Sequence, residues 1–101
     1  MKKLSVYNGR VYFEVQSADE LQDVLRNIEQ YESIVLLDKN GDLVASTLIK
    51  YMCLADTYFE LDSYSTYTDE YCLTLWVKTT TGAHIVQTMY CSKITVIKEV
   101  E

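Results

Sequence analysis

The chain has 101 residues, of which 49% are apolar and 24% charged, and its formal net charge is −6. This length and composition predict a single domain spanning residues 1–101 with a modest apolar core. The negative charge argues against direct binding to nucleic acid, because phosphate backbones require a basic footprint, and against an anionic membrane surface. No apolar run approaches the roughly 20 residues that a membrane-spanning helix needs.

The first predicted elements are a hairpin and a helix. Asn8-Gly9 separates two apolar-rich runs, and Asn-Gly predicts a hairpin because a type I′ turn needs positive φ at both residues. Ser17 and Glu20 have the spacing of a capping box, which predicts the start of a helix. The apolar stripe that follows at helical spacing consists of Leu21, Val24, Leu25, Ile28 and Tyr31. This stripe predicts an amphipathic helix lying on a sheet.

The rest of the chain is predicted to be mainly β-strand. Asn40-Gly41 indicates a second hairpin, and Gly82 indicates a third with a three-residue loop. Residues 47–55 fit either a short helix or a strand. The strands predicted from aromatic and β-branched content cover 57–61, 71–77 and 94–97. The predicted fold class is therefore α+β, with a mostly antiparallel β-sheet built from hairpins and one main amphipathic helix packed on it.

Residues that could carry catalysis or bind a metal are few. Cys53, Cys72 and Cys91 are an odd number with no short chelating spacing, so we predict free, mostly buried thiols and no zinc site. A three-residue loop ending in Gly82 places Cys72 and Cys91 opposite tyrosines, which disfavours a disulfide between them. Nucleophilic catalysis would have to use the single histidine, His84, for which an exposed strand end is the ordinary position. We predict no enzymatic activity and no cofactor.

The most distinctive feature is the stretch 51–77, which contains no lysine or arginine and contributes −5 of the net charge. Within it, residues 62–70 have no aliphatic side chain and are predicted to form an exposed loop or a strand edge. Either the stretch is a solvated loop whose tyrosines pack in the core, or it is a negative, amphipathic binding face. The candidate partner-binding residues are Asp56, Glu60, Asp62, Tyr64, Tyr67, Asp69 and Glu70.

The binding interpretation predicts a non-enzymatic acidic protein whose partner is a basic protein surface, such as that of a nucleic-acid-binding enzyme or complex. Carboxylates would stand in for phosphates there, and tyrosine rings for stacked bases. In size, charge and lack of a catalytic motif, the chain is similar to phage inhibitors of host defence, such as anti-CRISPR and anti-restriction proteins, and to nuclease-toxin immunity proteins. This similarity of type implies inhibition by nucleic-acid mimicry and assigns no residue to a site.

Two alternatives belong to other classes of protein. One is a homo-oligomeric scaffold, such as a homodimer, with its seam at an edge strand in 94–100 or at the strand containing Trp76. The other is a small-ligand-binding or enzymatic domain that uses His84, which predicts a pocket around that residue. Polar residues soon follow Met1-Lys2-Lys3, so no signal peptide is predicted and we expect the cytoplasm, that of the host if the gene is phage-borne.

Overall fold

The computed structural model describes residues 1–100, which form two antiparallel β-sheets, one main helix and a second short helix. The strands are β1 (Lys2–Tyr7), β2 (Arg10–Glu14), β3 (Ser33–Leu37), β4 (Leu43–Leu48), β5 (Tyr58–Ser65), β6 (Glu70–Lys78), β7 (His84–Cys91) and β8 (Lys93–Glu99). The helices are α1 (Ala18–Arg26) and α2 (Ile49–Leu54), and Ile28–Gln30 form a 3₁₀ turn. The predicted α+β class is confirmed, although the strands divide between two sheets rather than forming one.

The two Asn-Gly hairpins are both present, but their turns differ. Asn8 and Gly9 have φ of 53° and 76°, as a type I′ turn requires. Asn40 is not among the residues with positive φ, so the second turn is not type I′. The Asp38 carboxylate instead accepts hydrogen bonds from the Asn40 and Asp42 amides, each at 2.9 Å. This side-chain cap selects a longer loop.

The third hairpin fixes the positions of two cysteines. Thr79 N donates to Ala83 O at 2.7 Å, and Gly82 has φ of 87°, which closes the predicted three-residue loop. In the resulting register Cys72 lies opposite Tyr90, and Cys91 lies opposite Tyr71. The predicted register is confirmed, and all three cysteines are free.

Helix α1 begins where the capping box predicts and ends earlier than its apolar stripe. Ser17 Oγ accepts from Glu20 N at 3.2 Å, and Glu20 Oε2 accepts from Gln16 N at 2.8 Å. The helix stops at Arg26 because Asn27 turns its side chain back to donate to Asp23 O at 2.9 Å. The stripe continues through the 3₁₀ turn, so Ile28 and Tyr31 still pack against the core.

Each of the two remaining uncertain stretches, 47–55 and 62–70, combines two kinds of local structure. Strand β4 runs to Leu48 and helix α2 follows directly, burying Ile49 and Met52, so the stretch 47–55 is part strand and part helix. Residues 62–65 belong to the edge strand β5, so the stretch 62–70 contains both a strand edge and a loop. Strand β5 continues to Ser65, and only residues 66–69 form the turn into β6.

All neighbouring strands run antiparallel. The first sheet has the order β1-β2-β8-β3-β4, and the second has the order β5-β6-β7. Both strands that the sequence suggested as an exposed oligomer seam are central ones: β8, which contains 94–99, lies between β2 and β3, and β6, which contains Trp76, lies between β5 and β7. That prediction is wrong, because β8 pairs with two strands far from it in sequence and β6 forms hairpins with both of its sequence neighbours.

One hydrophobic core joins the two sheets and both helices. Leu36 and Val96 of the first sheet, Leu73 of the second, and Leu21 of α1 are all fully buried in it. Each such side chain contributes roughly 1.5–3 kcal/mol on burial. The second sheet therefore has one face held against this core and the other turned away from it.

Candidate functional site

The outer side of the second sheet collects most of the candidate carboxylates. On β6, Tyr71 and Leu73 point into the core, so strand alternation puts Glu70, Cys72 and Trp76 on the opposite side. Residues directly opposite these on β5 and β7 share that side. We call it the acidic sheet face, and its residues are Tyr58, Glu60, Asp62, Ser63, Ser65, Glu70, Cys72, Thr74, Trp76, Lys78, His84, Val86, Thr88 and Tyr90.

Three carboxylates on this face have no cationic partner within residues 1–100: Glu60, Asp62 and Glu70. Glu60 lies opposite Thr74. The Thr74 hydroxyl donates to Asp62 Oδ2, and the Cys72 thiol lies 3.9 Å from the same oxygen. Because same-side neighbours along a strand are about 7 Å apart, Glu60 and Asp62 form a pair of adjacent negative charges.

Charge is segregated between the two sheets. Residues 58–91, which make up the second sheet, contain four carboxylates and a single cationic side chain, Lys78. Lys78 Nζ lies 3.2 Å from Asp56 Oδ2, so its charge is already engaged at the start of β5. The other eight lysines and arginines lie outside residues 51–92. The acidic sheet face carries three carboxylates and one cation, Lys78, whose charge is offset by Asp56, so the net potential of the face is negative.

Aromatic rings cover one end of the acidic sheet face. Trp76 and Tyr58 are stacked, with ring centroids 6.0 Å apart and planes at 10°, and His84 meets Trp76 edge-on at 6.1 Å. The Trp76 Nε1 atom is covered and has no acceptor among the described residues. At the other end, exposed Tyr90 lies opposite Cys72. The adjacent Cys72 thiol, followed by burial and then by the charges of Glu70 and Asp62, raises the pKa of Tyr90.

The other predicted site residues lie elsewhere. The Tyr64 ring packs against Tyr71 on the core side, with centroids 4.6 Å apart, and its hydroxyl donates to Asp69 at 3.2 Å. Burial and the Asp69 charge raise the pKa of Tyr64. Tyr67, 96% exposed, and Asp69 belong to the turn 66–69, next to Glu70. Asp56 stands at the opposite end of β5, paired with Lys78.

A β-bulge explains why Tyr64 is separated from the carboxylates. The pairing of β5 with β6 shifts between Leu61 and Ser63, so Asp62 is the extra residue. Without this extra residue, Glu60, Asp62 and Tyr64 would share one side by simple alternation. After it, Ser63 takes the outer side opposite Cys72, and Tyr64 turns inward opposite Tyr71.

Several residues of the acidic sheet face were absent from the predicted site. Alternation along β6 would have found Cys72, Thr74 and Trp76, which share the parity of Glu70. Tyr90 was predictable as well, since the third hairpin places it opposite Cys72. The predicted loop or strand edge at 62–70 gives no register between β5 and β6, so strand alternation does not connect these residues to the carboxylates.

A separate cleft of about 800 Å³ lies beside the first sheet. Its lining includes Arg10, Glu32, Lys50, Cys53 and Glu99. Arg10 Nε donates to Glu32 Oε1 at 2.7 Å, whereas Glu32 Oε2 is covered and has no hydrogen-bond partner among the described residues. Hydrogen bonding raises the pKa of Arg10 and lowers that of Glu32. The cleft thus brings carboxylates and cations together, whereas Glu60, Asp62 and Glu70 have no cationic partner within residues 1–100.

His84 is the exposed first residue of β7 and lines neither this cleft nor a smaller one beside α1. No cluster of three or more histidine, cysteine, aspartate or glutamate side chains suited to a metal ion occurs in residues 1–100. Over the same residues, no helix has the length and apolar character needed to cross a bilayer.

Comparison of the chain with protein-family models, with curated proteins and with solved structures finds no match. The acidic sheet face is therefore interpreted from its own chemistry.

Proposed function

We propose that the protein is a non-enzymatic inhibitor that uses its acidic sheet face to occupy a basic surface of a nucleic-acid-handling protein. The carboxylates of Glu60, Asp62 and Glu70 would take the places of phosphates on that surface. The Tyr58 and Trp76 rings would lie against arginine side chains or where bases stack. This is inhibition by nucleic-acid mimicry, and it requires no catalytic group and no cofactor.

The observation that carries the proposal is the charge segregation. Three unpaired carboxylates share one face of a sheet in which the only lysine, Lys78, is already bound to Asp56. An uncompensated negative surface accelerates encounter with a positive one and disfavours neutral partners. The same carboxylates would repel nucleic acid itself, so the partner is the protein that binds it.

The sheet also holds these groups in place. Glu70 is on the central strand β6, and Asp62 accepts the Thr74 hydroxyl on that strand. A face built on paired strands loses less conformational freedom on binding than a flexible acidic loop does. Aromatic rings beside carboxylates suit arginine in particular, because its planar guanidinium stacks on rings and binds carboxylates in a bidentate manner.

The experiment is capture of partners on the immobilised full-length protein from a lysate of its native host. The test variant is the triple substitution Glu60→Gln, Asp62→Asn and Glu70→Gln. The matched control changes the same amount of charge at exposed sites away from the face, Asp23→Asn, Glu29→Gln and Asp42→Asn. We expect wild type and control to capture the same basic, nucleic-acid-binding protein, and the test variant to lose it.

Two further measurements separate specific mimicry from simple charge attraction. Added duplex DNA or RNA should displace the captured protein, because it competes for the same basic surface. The logarithm of affinity should fall less steeply with salt for the test variant than for wild type. Equal capture by the test variant and wild type, with both folded by circular dichroism, would refute the proposal.

A further inference from the structure

Four strands form the edges of the two sheets: β1, β4, β5 and β7. An unprotected edge pairs with another strand, and proteins prevent this with charges, bulges or covering elements. Strand β1 carries Lys2 and Lys3 and has a register shift beside them. Strand β5 carries Glu60 and the bulge at Asp62. The pairing of β4 with β3 has a register shift between Leu36 and Leu37, and helix α2, which follows β4, contacts this strand.

Strand β7 has no carboxylate, lysine, arginine, proline or bulge. Residues 79–92 contain no aspartate, glutamate, lysine, arginine or proline. The pairing of β7 with β6 runs without a register shift along all eight residues. Ile85 and Val86 are 59% and 51% exposed. Strand β4 lies near β7, but the two belong to different sheets and do not pair.

The free hydrogen-bonding groups of β7 can be assigned by alternation. Because Ala83 O accepts from Thr79 N, the Ala83 carbonyl faces β6. In an antiparallel ladder, alternate residues turn their N–H and C=O groups to opposite sides. The residues whose backbone groups point away from β6 are therefore His84, Val86, Thr88 and Tyr90. They form a regular row that can receive one further strand.

We infer that β7 pairs with β7 of a second copy of this chain, joining the two β5–β6–β7 sheets into one six-stranded antiparallel sheet. All four free residues pair when Gln87 lies on the two-fold axis. His84 is then opposite Tyr90 of the second copy, and Val86 is opposite Thr88 of the second copy. Pairs of aromatic and β-branched residues such as these stabilise antiparallel sheets.

The lack of charged residues on β7 favours a second copy of this chain, rather than a basic peptide, as the strand that pairs with its free edge. Strand β7 carries no carboxylate, lysine or arginine, so its edge offers a basic peptide no ion pair and brings no like charges into direct contact when two copies meet. Self-pairing through β5 would instead bring Glu60 and Asp62 of the two copies together. The two-fold axis is perpendicular to the sheet, so both acidic sheet faces lie on the same side. If the proposed function holds, the dimer is bivalent towards its partner.

The test is the solution mass of the full chain, measured by sedimentation equilibrium over a range of concentrations. We expect an average mass that rises with concentration from 11.7 kDa, the monomer mass, towards twice that value. Val86→Lys places a charge at the centre of the edge and should weaken association by about tenfold or more. The matched control, Val6→Lys on the exposed strand β1, should associate as wild type does.

A second variant tests the dimer even if Val86→Lys fails to fold. Thr88→Pro removes an N–H that points away from β6, so the fold should tolerate it while the dimer loses a hydrogen bond. In wild type, the amides of Val86 and Thr88 should exchange more slowly with solvent at high protein concentration than at low. A chain that stays monomeric throughout, or a dimer that neither variant weakens, overturns the inference. None of these measurements involves a basic partner, so they are independent of the proposed function.

Discussion

Thr74 donates its hydroxyl to the carboxylate of Asp62 across strands β6 and β5, at the middle of the acidic sheet face. Thr74 is only 6% exposed, whereas Asp62 is open to solvent. The buried hydroxyl therefore holds an exposed carboxylate down against the sheet, next to Cys72. Asp62 is the extra residue that the β-bulge inserts, and the hydrogen bond from Thr74 fixes its position.

Replacing Thr74 by valine keeps the β-branched shape and removes the hydroxyl. We expect Thr74→Val to lower the free energy of unfolding by about 1 kcal/mol, the usual net value of one such hydrogen bond. Urea denaturation at neutral pH measures this loss. The control is Thr88→Val on the same face. Because Thr88 is exposed, this substitution should leave the free energy of unfolding within about 0.5 kcal/mol of the wild-type value. Equal stability of the two variants would show that the Thr74 hydrogen bond contributes nothing.

The shared core predicts that the two sheets unfold together. Leu36 in the first sheet and Leu73 in the second are each fully buried, so replacing either by alanine should cost about 2–5 kcal/mol. Trp76, the single tryptophan, reports on the second sheet. We expect Leu36→Ala to shift the Trp76 fluorescence transition as far as it shifts the circular dichroism of the whole chain.

The control for both core variants is Leu54→Ala, because Leu54 is 82% exposed on α2 and its loss should change stability by less than about 0.5 kcal/mol. A Trp76 transition that does not respond to Leu36→Ala would mean that the sheets are separate folding units. Trp76 lies on the outer face, far from Leu36, so a shift cannot arise from direct contact.

Local chemistry predicted much of the fold. The hairpin at Asn8-Gly9, the third hairpin with its cysteine register and the start of α1 all follow from side chains within a few residues of each turn or cap. The pairings β2–β8 and β3–β8 join strands far apart in sequence, and no local signal specifies them. The division into two sheets and the central position of β8 therefore do not follow from local sequence signals, whereas β6 is central because it forms hairpins with both of its sequence neighbours.

The candidate site was also predictable in part: the position of the charge was, and the side of the sheet taken by each residue of β5 was not. The absence of lysine and arginine from 51–77 located the charge, and the structure places Glu60, Asp62 and Glu70 on one face. The bulge at Asp62 decides which side each residue of β5 takes, and it depends on the fit between strands rather than on any residue that demands it. The sequence alone therefore does not separate Tyr64 from the carboxylates, whereas the structure places Tyr64 opposite Tyr71 on the inner side.

Burial predicts that the cysteines differ in reactivity. Burial, with a smaller contribution from Glu70, raises the pKa of the Cys91 thiol to about 12, whereas Cys53 is exposed on α2. Because the thiolate is the reactive form, Cys91 should be inert to a thiol reagent at pH 8 until the protein unfolds, while Cys53 reacts promptly. Time-resolved labelling followed by peptide mass spectrometry measures both rates.

The matched variant for the labelling experiment is Cys53→Ser. It should abolish the fastest phase and leave the unfolding-dependent labelling of Cys91 unchanged. Rapid modification of Cys91 in the folded protein would contradict its burial and would mean that the end of β7, next to β8, opens readily.

The Arg10–Glu32 ion pair predicts a pH dependence of stability. Hydrogen bonding from Arg10, which outweighs desolvation, lowers the pKa of Glu32 in the folded state below its unfolded value. A lowered carboxyl pKa contributes stability above the unfolded pKa, about 4.3 for glutamate, and that stability is lost as the pH falls through the folded pKa. Glu32→Gln should therefore lower the midpoint of urea unfolding at pH 7, and the difference from wild type should shrink as the solution is acidified below pH ~4.

Glu60→Gln removes a carboxylate that has no cationic partner among the described residues, so it serves as the control and should not be destabilised at pH 7. A gap between wild type and Glu32→Gln that stays constant across this range would mean that the ion pair does not couple protonation to folding.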